Sequence, residues 1–226
     1  MLHVFKAFDL YCGAGGAGRG LSDAGFEVVG CDIKPQPRFP FKFVLGNALD
    51  ADLSGFDFVW ASPPCQAHTT MRHLHADKSY ECFIERTRAK LKAWGGPYVI
   101  ENVPKAPLVN PVTLCGSAFG LGVRRHRIFE SNIPIVGTKC CHANQGRPID
   151  VSGTGSRRVN PRSDGGGGDS NKPRNLDEAR LAMGISWMTR KEISQAIPPA
   201  YGKHIGDQVA AWLANKMGSD LLAVTS

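Results

Sequence analysis

The sequence predicts an α/β protein built around a parallel β-sheet. Short apolar or β-branched runs alternate with glycine-rich turns and helical stretches through the first half of the chain, and a glycine loop follows the first run. Both features are typical of parallel α/β architecture. With 226 residues, the chain can form one domain plus an appendage, because a domain usually contains about 100–200 residues.

Five segments have the composition of buried strands, and the second of them ends at Asp32. Bounded by turn residues, such short apolar runs favour strands over helices. The predicted strands are residues 4–10, 27–31, 41–45, 56–61 and 98–101.

Helices are predicted between and after these strands. Residues 13–20 form the glycine loop, and residues 21–24 lie in the helix that follows it. Residues 80–94 place apolar side chains among many charges, which indicates an amphipathic crossover helix. Residues 176–183 return to regular structure, and residues 207–217 predict a closing helix.

The composition changes between residues 139 and 175, where Gly, Ser, Asn, Arg and Pro replace the apolar pattern. Seven basic side chains oppose three acidic ones in this span, which includes four consecutive glycines at 165–168. Such a segment is expected to be an irregular, mobile insertion. We therefore predict a catalytic and cofactor-binding domain at residues 1–138, an insertion at 139–175, and a segment at 176–226 that completes the domain.

The charge and the cysteine content limit the class of protein. A net charge of +7 and an isoelectric point near 9.1 favour a polyanionic partner, because Lys and Arg release counterions when they neutralise phosphates. Seven irregularly spaced cysteines without a secretion signal predict reduced thiols. No apolar run approaches the roughly 18 residues that span a bilayer. We expect a cytoplasmic protein without a membrane partner.

The glycine loop predicts a nucleoside cofactor. Residues 13–18 satisfy the pattern G-x-G-x-x-G, and Asp32 ends the next strand nineteen residues after Gly13. Glycines let the backbone approach a ligand, and an acidic side chain accepts hydrogen bonds from ribose hydroxyls. The loop alone fits NAD and S-adenosylmethionine equally well.

Residues 61–66 (Ala-Ser-Pro-Pro-Cys-Gln) directly follow a predicted strand and place Cys65 at its carboxyl end. Ligands and catalytic groups of open α/β sheets gather at this edge. Two prolines stiffen the backbone ahead of the thiol, which favours a fixed geometry for nucleophilic attack. We predict that Cys65 is a nucleophile, whereas Cys31 and Cys82 are inert buried thiols.

Two further motifs point to the same edge of the sheet. Glu101 ends another predicted strand, so its carboxyl group is expected in the same crevice as Cys65, although such a residue is otherwise usually a solvated cap. Residues 124–127 (Arg-Arg-His-Arg) precede an apolar pair, so Arg125 and Arg127 share one face if the segment is extended. The alternative interpretation of this segment is a solvated basic cluster.

The sequence Cys140-Cys141-His142, with Cys115 upstream, raises the question of zinc. Its spacing lacks the C-x₂₋₄-C and H-x₃₋₅-H signatures of common structural sites. We therefore predict no metal site.

In their order along the chain, these motifs resemble those of the C5 cytosine-specific DNA methyltransferases. The chain departs from the family at Tyr11 and Cys12 (usually Phe and Ala or Ser), Val123 (Gln), Asn47 (Asp) and Asp207 (Asn), and its target-recognition region is shorter. The segments that carry the resemblance are residues 9–16, 63–66, 101–103, 123–127, 176–184 and 201–209.

The resemblance implies a Rossmann-like S-adenosylmethionine-dependent methyltransferase sheet, with residues 139–175 as a small irregular target-recognition insertion. It also implies the residues that bind S-adenosylmethionine. These are Asp9, Tyr11, Cys12, Gly13, Gly15, Gly16, Asp32, Ile33, Asn47, Ala48 and Pro63.

The resemblance further implies a covalent mechanism. Addition of the Cys65 thiolate at cytosine C6 makes C5 nucleophilic. A protonated Glu101 at N3 and the guanidinium of Arg125 at O2 would stabilise the developing charge, while Arg127 supports the loop or Glu101. The target base must be flipped out of the duplex to reach the thiol.

Three alternatives remain at this point. RNA (tRNA) cytosine methylation uses the same motifs, and a short recognition region fits either substrate. A dinucleotide-dependent oxidoreductase explains the glycine loop and Asp32 but neither Cys65 nor Glu101. A catalytically idle DNA-binding protein leaves the Cys, Glu and Arg set without a role. The expected partner is double-stranded DNA, with a monomeric chain and a restriction endonuclease as a possible companion in restriction-modification.

Overall fold

A computed structural model describes residues 3–64, 83–153 and 171–224 of the chain. The predicted nucleophile Cys65, the thiol of Cys82, and Arg157 and Arg158 of the insertion lie outside these residues. Among the helices of the described ranges, none is both long and apolar enough to cross a membrane.

A seven-stranded sheet forms the centre of the described structure, in the order β3-β2-β1-β4-β5-β7-β6. The first five strands run parallel, whereas β7 is antiparallel to both β5 and β6. The strands are β1 (Lys6–Leu10), β2 (Glu27–Asp32), β3 (Lys42–Leu45), β4 (Phe58–Ala61), β5 (Tyr98–Asn102), β6 (Val112–Leu114) and β7 (Arg127–Ser131).

Helices cover the sheet on both faces. Alternate residues of β4 show this arrangement: Phe58 and Trp60 pack in one apolar cluster, and Val59 and Ala61 pack in another, as the two-residue period of a strand requires. The helices are α1 (Gly16–Asp23), α2 (Phe83–Trp94), α3 (Leu176–Met183), α4 (Arg190–Gln195) and α5 (Pro199–Val224).

The parallel part of the prediction is confirmed, with strand ends that differ by at most two residues, and the starts of two helices need correction. α1 already begins at Gly16, and α5 begins at Pro199 instead of residue 207. Both corrections have the same cause. The glycines in these segments belong to helices because they let α1 and α5 pack backbone against backbone. A Cβ on Gly20 would lie 2.1 Å from the carbonyl oxygen of Pro199, and one on Gly202 would lie 2.4 Å from that of Ala17.

β7 is fixed to α2 by a buried ion pair. The Nε and Nη2 atoms of Arg88 each donate to a different carboxylate oxygen of Glu130, both at 2.7 Å. Glu130 also accepts the backbone N–H of Val109 at 2.8 Å. Such a two-pronged contact fixes orientation as well as distance, so the strand that begins at Arg127 has a defined position.

The described parts of the predicted insertion, residues 139–153 and 171–175, are irregular apart from a short 3₁₀ helix at His142–Asn144. They are nevertheless packed against the domain. The N–H of Ile149 donates to the Gly122 carbonyl at 2.7 Å, and Val151 is buried. The N–H of Asp150 donates to the Asn171 carbonyl at 2.7 Å, which joins the two parts.

Candidate active site

The predicted motifs meet at the carboxyl ends of three adjacent parallel strands. The glycine loop follows β1, residues 62–64 follow β4, and Glu101 and Asn102 end β5. At this edge of an open α/β sheet, loops and strand ends create a crevice for ligands.

The loop that leads to Cys65 is held by hydrogen bonds from several strands. The N–H of Ser62 donates to the Leu10 carbonyl at 3.1 Å, and its hydroxyl accepts from Nε1 of Trp60 at 2.9 Å. The Asn102 amide donates to the Pro63 carbonyl at 3.0 Å. The chain is therefore fixed up to two residues before the predicted nucleophile.

Glu101 is only 5% exposed. Burial raises the pKa of its carboxyl group, while the charge of Arg127 and a hydrogen bond with Ser62 act in the opposite direction. The Nε atom of Arg127 lies 3.1 Å from Oε1 of Glu101. Because burial outweighs its partners, this carboxyl group holds a proton more readily than an exposed glutamate does.

The structure does not support the prediction that Arg125 and Arg127 share one face of an extended segment. Its φ of 36° is left-handed, so the segment is not extended there, and β7 begins only at Arg127. The guanidinium of Arg125 donates from Nε to the Ala196 carbonyl at 2.8 Å and from Nη2 to the Ser194 carbonyl at 3.0 Å. Its charge still lowers the pKa of Glu101, less strongly than that of Arg127 does.

Asp32 holds the glycine loop in place. One carboxylate oxygen accepts the N–H of Gly13 at 3.0 Å, and the other accepts the N–H of Lys34 at 3.0 Å. Each oxygen keeps a further lone pair for a ligand hydroxyl. The acidic residue of the motif therefore has a structural role in addition to its predicted role at the ribose.

The three predicted cofactor glycines have different surroundings. Gly13 has a φ of 50°, and a Cβ there would meet nothing within 4 Å. A Cβ on Gly15 would lie 2.8 Å from Cδ of Pro40, and one on Gly16 would lie 2.1 Å from the Ile197 carbonyl oxygen. Gly13 thus leaves open space for a ligand, whereas protein contacts alone require glycine at the other two positions.

Asp9 in β1 and Cys12, which directly precedes Gly13, are both buried. Asp9 is 1% exposed, and burial raises the pKa of its carboxyl group to about 8. The Oδ2 atom of this carboxyl group has no hydrogen-bond partner among the described residues. Burial also raises the pKa of the Cys12 thiol. The orphaned carboxyl oxygen fits a ligand that brings a hydrogen-bond donor.

The remaining predicted cofactor residues lie near the ends of β2 and β3 and after β1. Ile33 is 70% exposed, which offers apolar surface at the edge of the crevice. Asn47 accepts the N–H of Leu49 at 3.1 Å, and Ala48 is buried. The hydroxyl of Tyr11 lies 2.9 Å from that of Thr87 on α2.

Three contacts were not predicted from the sequence. Two of them are the hydrogen bonds of Ser62 and Asn102, which lie inside predicted motifs. The polar side chains next to Pro63 and Glu101 in the sequence were the signal that could have predicted these hydrogen bonds. The indole Nε1 of Trp187 donates to the Ala14 carbonyl of the glycine loop at 2.8 Å. No local sequence pattern predicts that contact, because its two partners are 173 residues apart.

The fold has solved counterparts. A prophage-encoded protein from E. coli, described as a DNA modification methyltransferase, has a TM-score of 0.62 and 13% identity, covering 93% of this chain and 99% of its own. The Dnmt2 methyltransferase of S. pombe has a TM-score of 0.58 and 12% identity, with coverages of 93% and 99%. The Entamoeba histolytica methyltransferase EhMeth has a TM-score of 0.57 and 11% identity, with coverages of 94% and 99%.

The chain matches no protein-family model and no curated protein sequence. The structural likeness nevertheless confirms the predicted fold, a Rossmann-like methyltransferase sheet. At 11–13% identity, this likeness shows the fold alone.

Proposed function

We propose that the chain is a DNA (cytosine-5-)-methyltransferase that uses S-adenosylmethionine and Cys65. The observation that carries this proposal is the buried carboxyl group of Glu101, which has a raised pKa and lies beside the fixed loop that leads to Cys65. A solvated cap would be exposed, so the alternative interpretation of Glu101 does not fit its burial.

The chemistry requires a thiol, an acid and a cation. The Cys65 thiolate forms a bond to cytosine C6, and the displaced electron pair moves toward N3 and O2 of the ring. Glu101 donates its proton to N3, and a guanidinium at O2 stabilises charge that develops there. After C5 takes up the methyl group, a base removes the C5 proton and the Cys65 thiolate departs from C6. N3 returns its proton to Glu101, which restores the neutral aromatic ring and the carboxyl group.

The two arginines have separate roles in this proposal. Arg127 pairs with Glu101 at 3.1 Å, which supports the expected role of orienting that carboxyl group. Arg125 remains the candidate for O2. Its present hydrogen bonds to the carbonyls of Ala196 and Ser194 would have to be exchanged, or shared, when a base enters.

The residues around the glycine loop fit S-adenosylmethionine. Asp32 would accept from the ribose, the open surroundings of Gly13 would admit the ligand, and the orphaned oxygen of Asp9 would accept from its ammonium group. The exposed side chain of Ile33 would contact the adenine. When bound, the cofactor supplies the electrophilic methyl group.

We further propose that residues 139–175 are the target-recognition insertion and that the substrate is double-stranded DNA. The net charge of +7 supports a nucleic-acid substrate, and the E. coli counterpart is described as a DNA modification methyltransferase. The described parts anchored at Ile149 and Asn171 would hold the ends of the insertion in a fixed place.

Methyl transfer to DNA and to tRNA, measured side by side with labelled S-adenosylmethionine, tests the substrate. We expect transfer to DNA, and bisulfite sequencing is expected to locate the product at cytosine C5. Transfer to tRNA alone would contradict the DNA assignment while leaving the chemistry intact.

Cys65→Ser tests the nucleophile, with Cys82→Ser as the matched control from the same stretch of chain. We expect the first variant to lose turnover yet bind the cofactor, and the second to remain active. DNA that contains 5-fluorocytosine is expected to trap an adduct, because fluorine at C5 cannot leave as a proton. An adduct that peptide mapping locates on another cysteine would refute the role of Cys65.

A further inference from the structure

Four potential metal ligands converge at the edge of the sheet that carries β6 and β7. Cys115 follows β6, His126 precedes β7, and Cys140 and His142 lie in the loop after β7. One ligand atom from each residue lies within 4.8 Å of all the others. Cys115 is buried, whereas Cys140 is exposed, so the cluster extends from the core to the surface.

The distances are close to those of a tetrahedral site. Sγ of Cys115 lies 3.2 Å from Nε2 of His142, and Sγ of Cys140 lies 3.3 Å from Nε2 of His126. In a tetrahedral zinc site with Zn–S near 2.3 Å and Zn–N near 2.0–2.1 Å, a sulfur and a nitrogen ligand are about 3.6 Å apart. An outward shift of a few tenths of an ångström per pair would therefore admit the ion.

We propose that Cys115, His126, Cys140 and His142 bind one zinc ion as a closed structural site. Two thiolates and two neutral imidazoles are a ligand set that zinc prefers, and four protein ligands leave no position for a substrate. Binding releases one proton from each thiol to solvent, so the dipositive ion and the two thiolates form a site without net charge.

Ser117 supports this ligand geometry. Its hydroxyl lies 3.1 Å from Sγ of Cys115 and accepts the N–H of Cys141 at 3.0 Å. It thereby joins the first ligand to the turn that carries Cys140 and His142. Partners of this kind orient metal ligands in many proteins.

The proposed ion would add a bond between the paired ends of β6 and β7 and the irregular loop that carries Cys140 and His142. The loop with Cys140 and His142 contains one short 3₁₀ helix and opens the segment assigned to the insertion. His126 stands between Arg125 and Arg127 in the sequence. A metal bond at His126 would hold the backbone that carries the partner of Glu101, and the bonds at the loop would fix where the insertion begins.

The sequence spacing predicts no metal, and the structure explains why. The ligands follow the pattern C-x₁₀-H-x₁₃-C-x-H, which lacks the close pairs of common zinc motifs. The antiparallel pairing of β6 with β7 brings Cys115 and His126 together. The sequence motif contains Cys141, which is not part of the cluster, and does not contain His126.

Metal analysis of the purified full chain, expressed with zinc and dialysed, tests the proposal without substrate. We expect about one zinc per chain. Co²⁺ alone, added to metal-free protein, is expected to give the visible absorption of a tetrahedral thiolate site. Metal content well below stoichiometric after zinc reconstitution, with no cobalt absorption, would overturn the proposal.

Cys140→Ser and Cys141→Ser form a matched pair of adjacent, exposed thiols. We expect the first variant to lose zinc by about tenfold or more and the second to keep it. Equal retention in both variants would overturn the assignment of ligands. If Cys140→Ser fails to fold, chelation of the wild-type protein provides a second measurement: its melting temperature must fall and recover with added zinc, and no shift would overturn the structural role.

Discussion

Nε of Arg127 lies 3.1 Å from Oε1 of Glu101, and both side chains are largely buried. The pair bridges two strands, because Glu101 is in β5 and Arg127 begins the antiparallel β7. Burial raises the pKa of Glu101 and the guanidinium lowers it, with burial the larger effect. An arginine in this position can orient the carboxyl group while burial keeps the pKa of Glu101 above its usual value.

Glu101→Gln is expected to lower the rate of methyl transfer by about 10²- to 10⁴-fold, the usual contribution of a general acid. The amide cannot donate a carboxyl proton to N3, although it keeps the shape of the side chain. Single-turnover methylation of DNA measures the change. Glu27→Gln is the control, because Glu27 forms an exposed pair with Lys42 outside the site. A Glu101→Gln enzyme with the wild-type rate would remove Glu101 from the mechanism.

The parallel strands could be predicted because their periodicity is local. β4 and β5 are buried throughout, and their apolar runs are visible without tertiary information. The position of β7 could not be predicted in this way, because its stability depends on contacts such as that of Glu130 with Arg88, 42 residues away. The same limit applies to the left-handed turn at Arg125, which redirects its side chain to the Ser194 and Ala196 carbonyls.

Asp9→Asn is expected to change how stability depends on pH. Because burial raises the pKa of Asp9 to about 8 from a usual value of 3.8, the folded chain binds more protons than the unfolded chain between these values. The free energy of unfolding contributed by this group therefore falls as the pH rises through that window, by up to about 1.4 kcal/mol per pH unit. The asparagine side chain does not titrate, so the free energy of unfolding of this variant does not fall for this reason.

Urea denaturation at about pH 5 and about pH 8 measures the Asp9 effect. We expect the variant to gain stability relative to the wild type as the pH rises. Asp52→Asn is the control, because the pKa of Asp52 is lowered by its hydrogen bonds to Ser54. Identical pH dependence of Asp9→Asn and the wild type would show that Asp9 is ionised in the folded chain at neutral pH.

Asp32→Ala is expected to weaken S-adenosylmethionine binding by about 1.5–3 kcal/mol, as the loss of charge-assisted hydrogen bonds predicts. The variant also loses the acceptor for the N–H of Gly13, so the loop becomes less ordered. Asp32→Asn keeps one acceptor oxygen and is expected to have an intermediate affinity. Calorimetric titration measures both, with Asp23→Ala as the control, since Asp23 pairs with exposed Arg19. Unchanged affinity in the alanine variant would refute the assignment of the cofactor site.

Arg157 and Arg158 lie in the middle of the sequence of the proposed insertion, residues 139–175, and we expect them to contact phosphates instead of base edges. Replacing both by Ala is then expected to weaken binding to all DNA sequences and to reduce the salt slope by about two, because each phosphate contact contributes roughly −0.9.

Fluorescence binding assays at several salt concentrations measure the slope, and bisulfite sequencing measures the site preference. The Arg19→Ala, Lys203→Ala double variant is the matched control, because it removes the same charge from two helices where both residues already pair with aspartates. If Arg157 and Arg158 contact phosphates, their double variant has a reduced salt slope and an unchanged site preference, whereas the control variant keeps the wild-type slope. If that variant keeps its slope and methylates new sequence contexts, the two arginines read bases in the groove and the short insertion determines specificity.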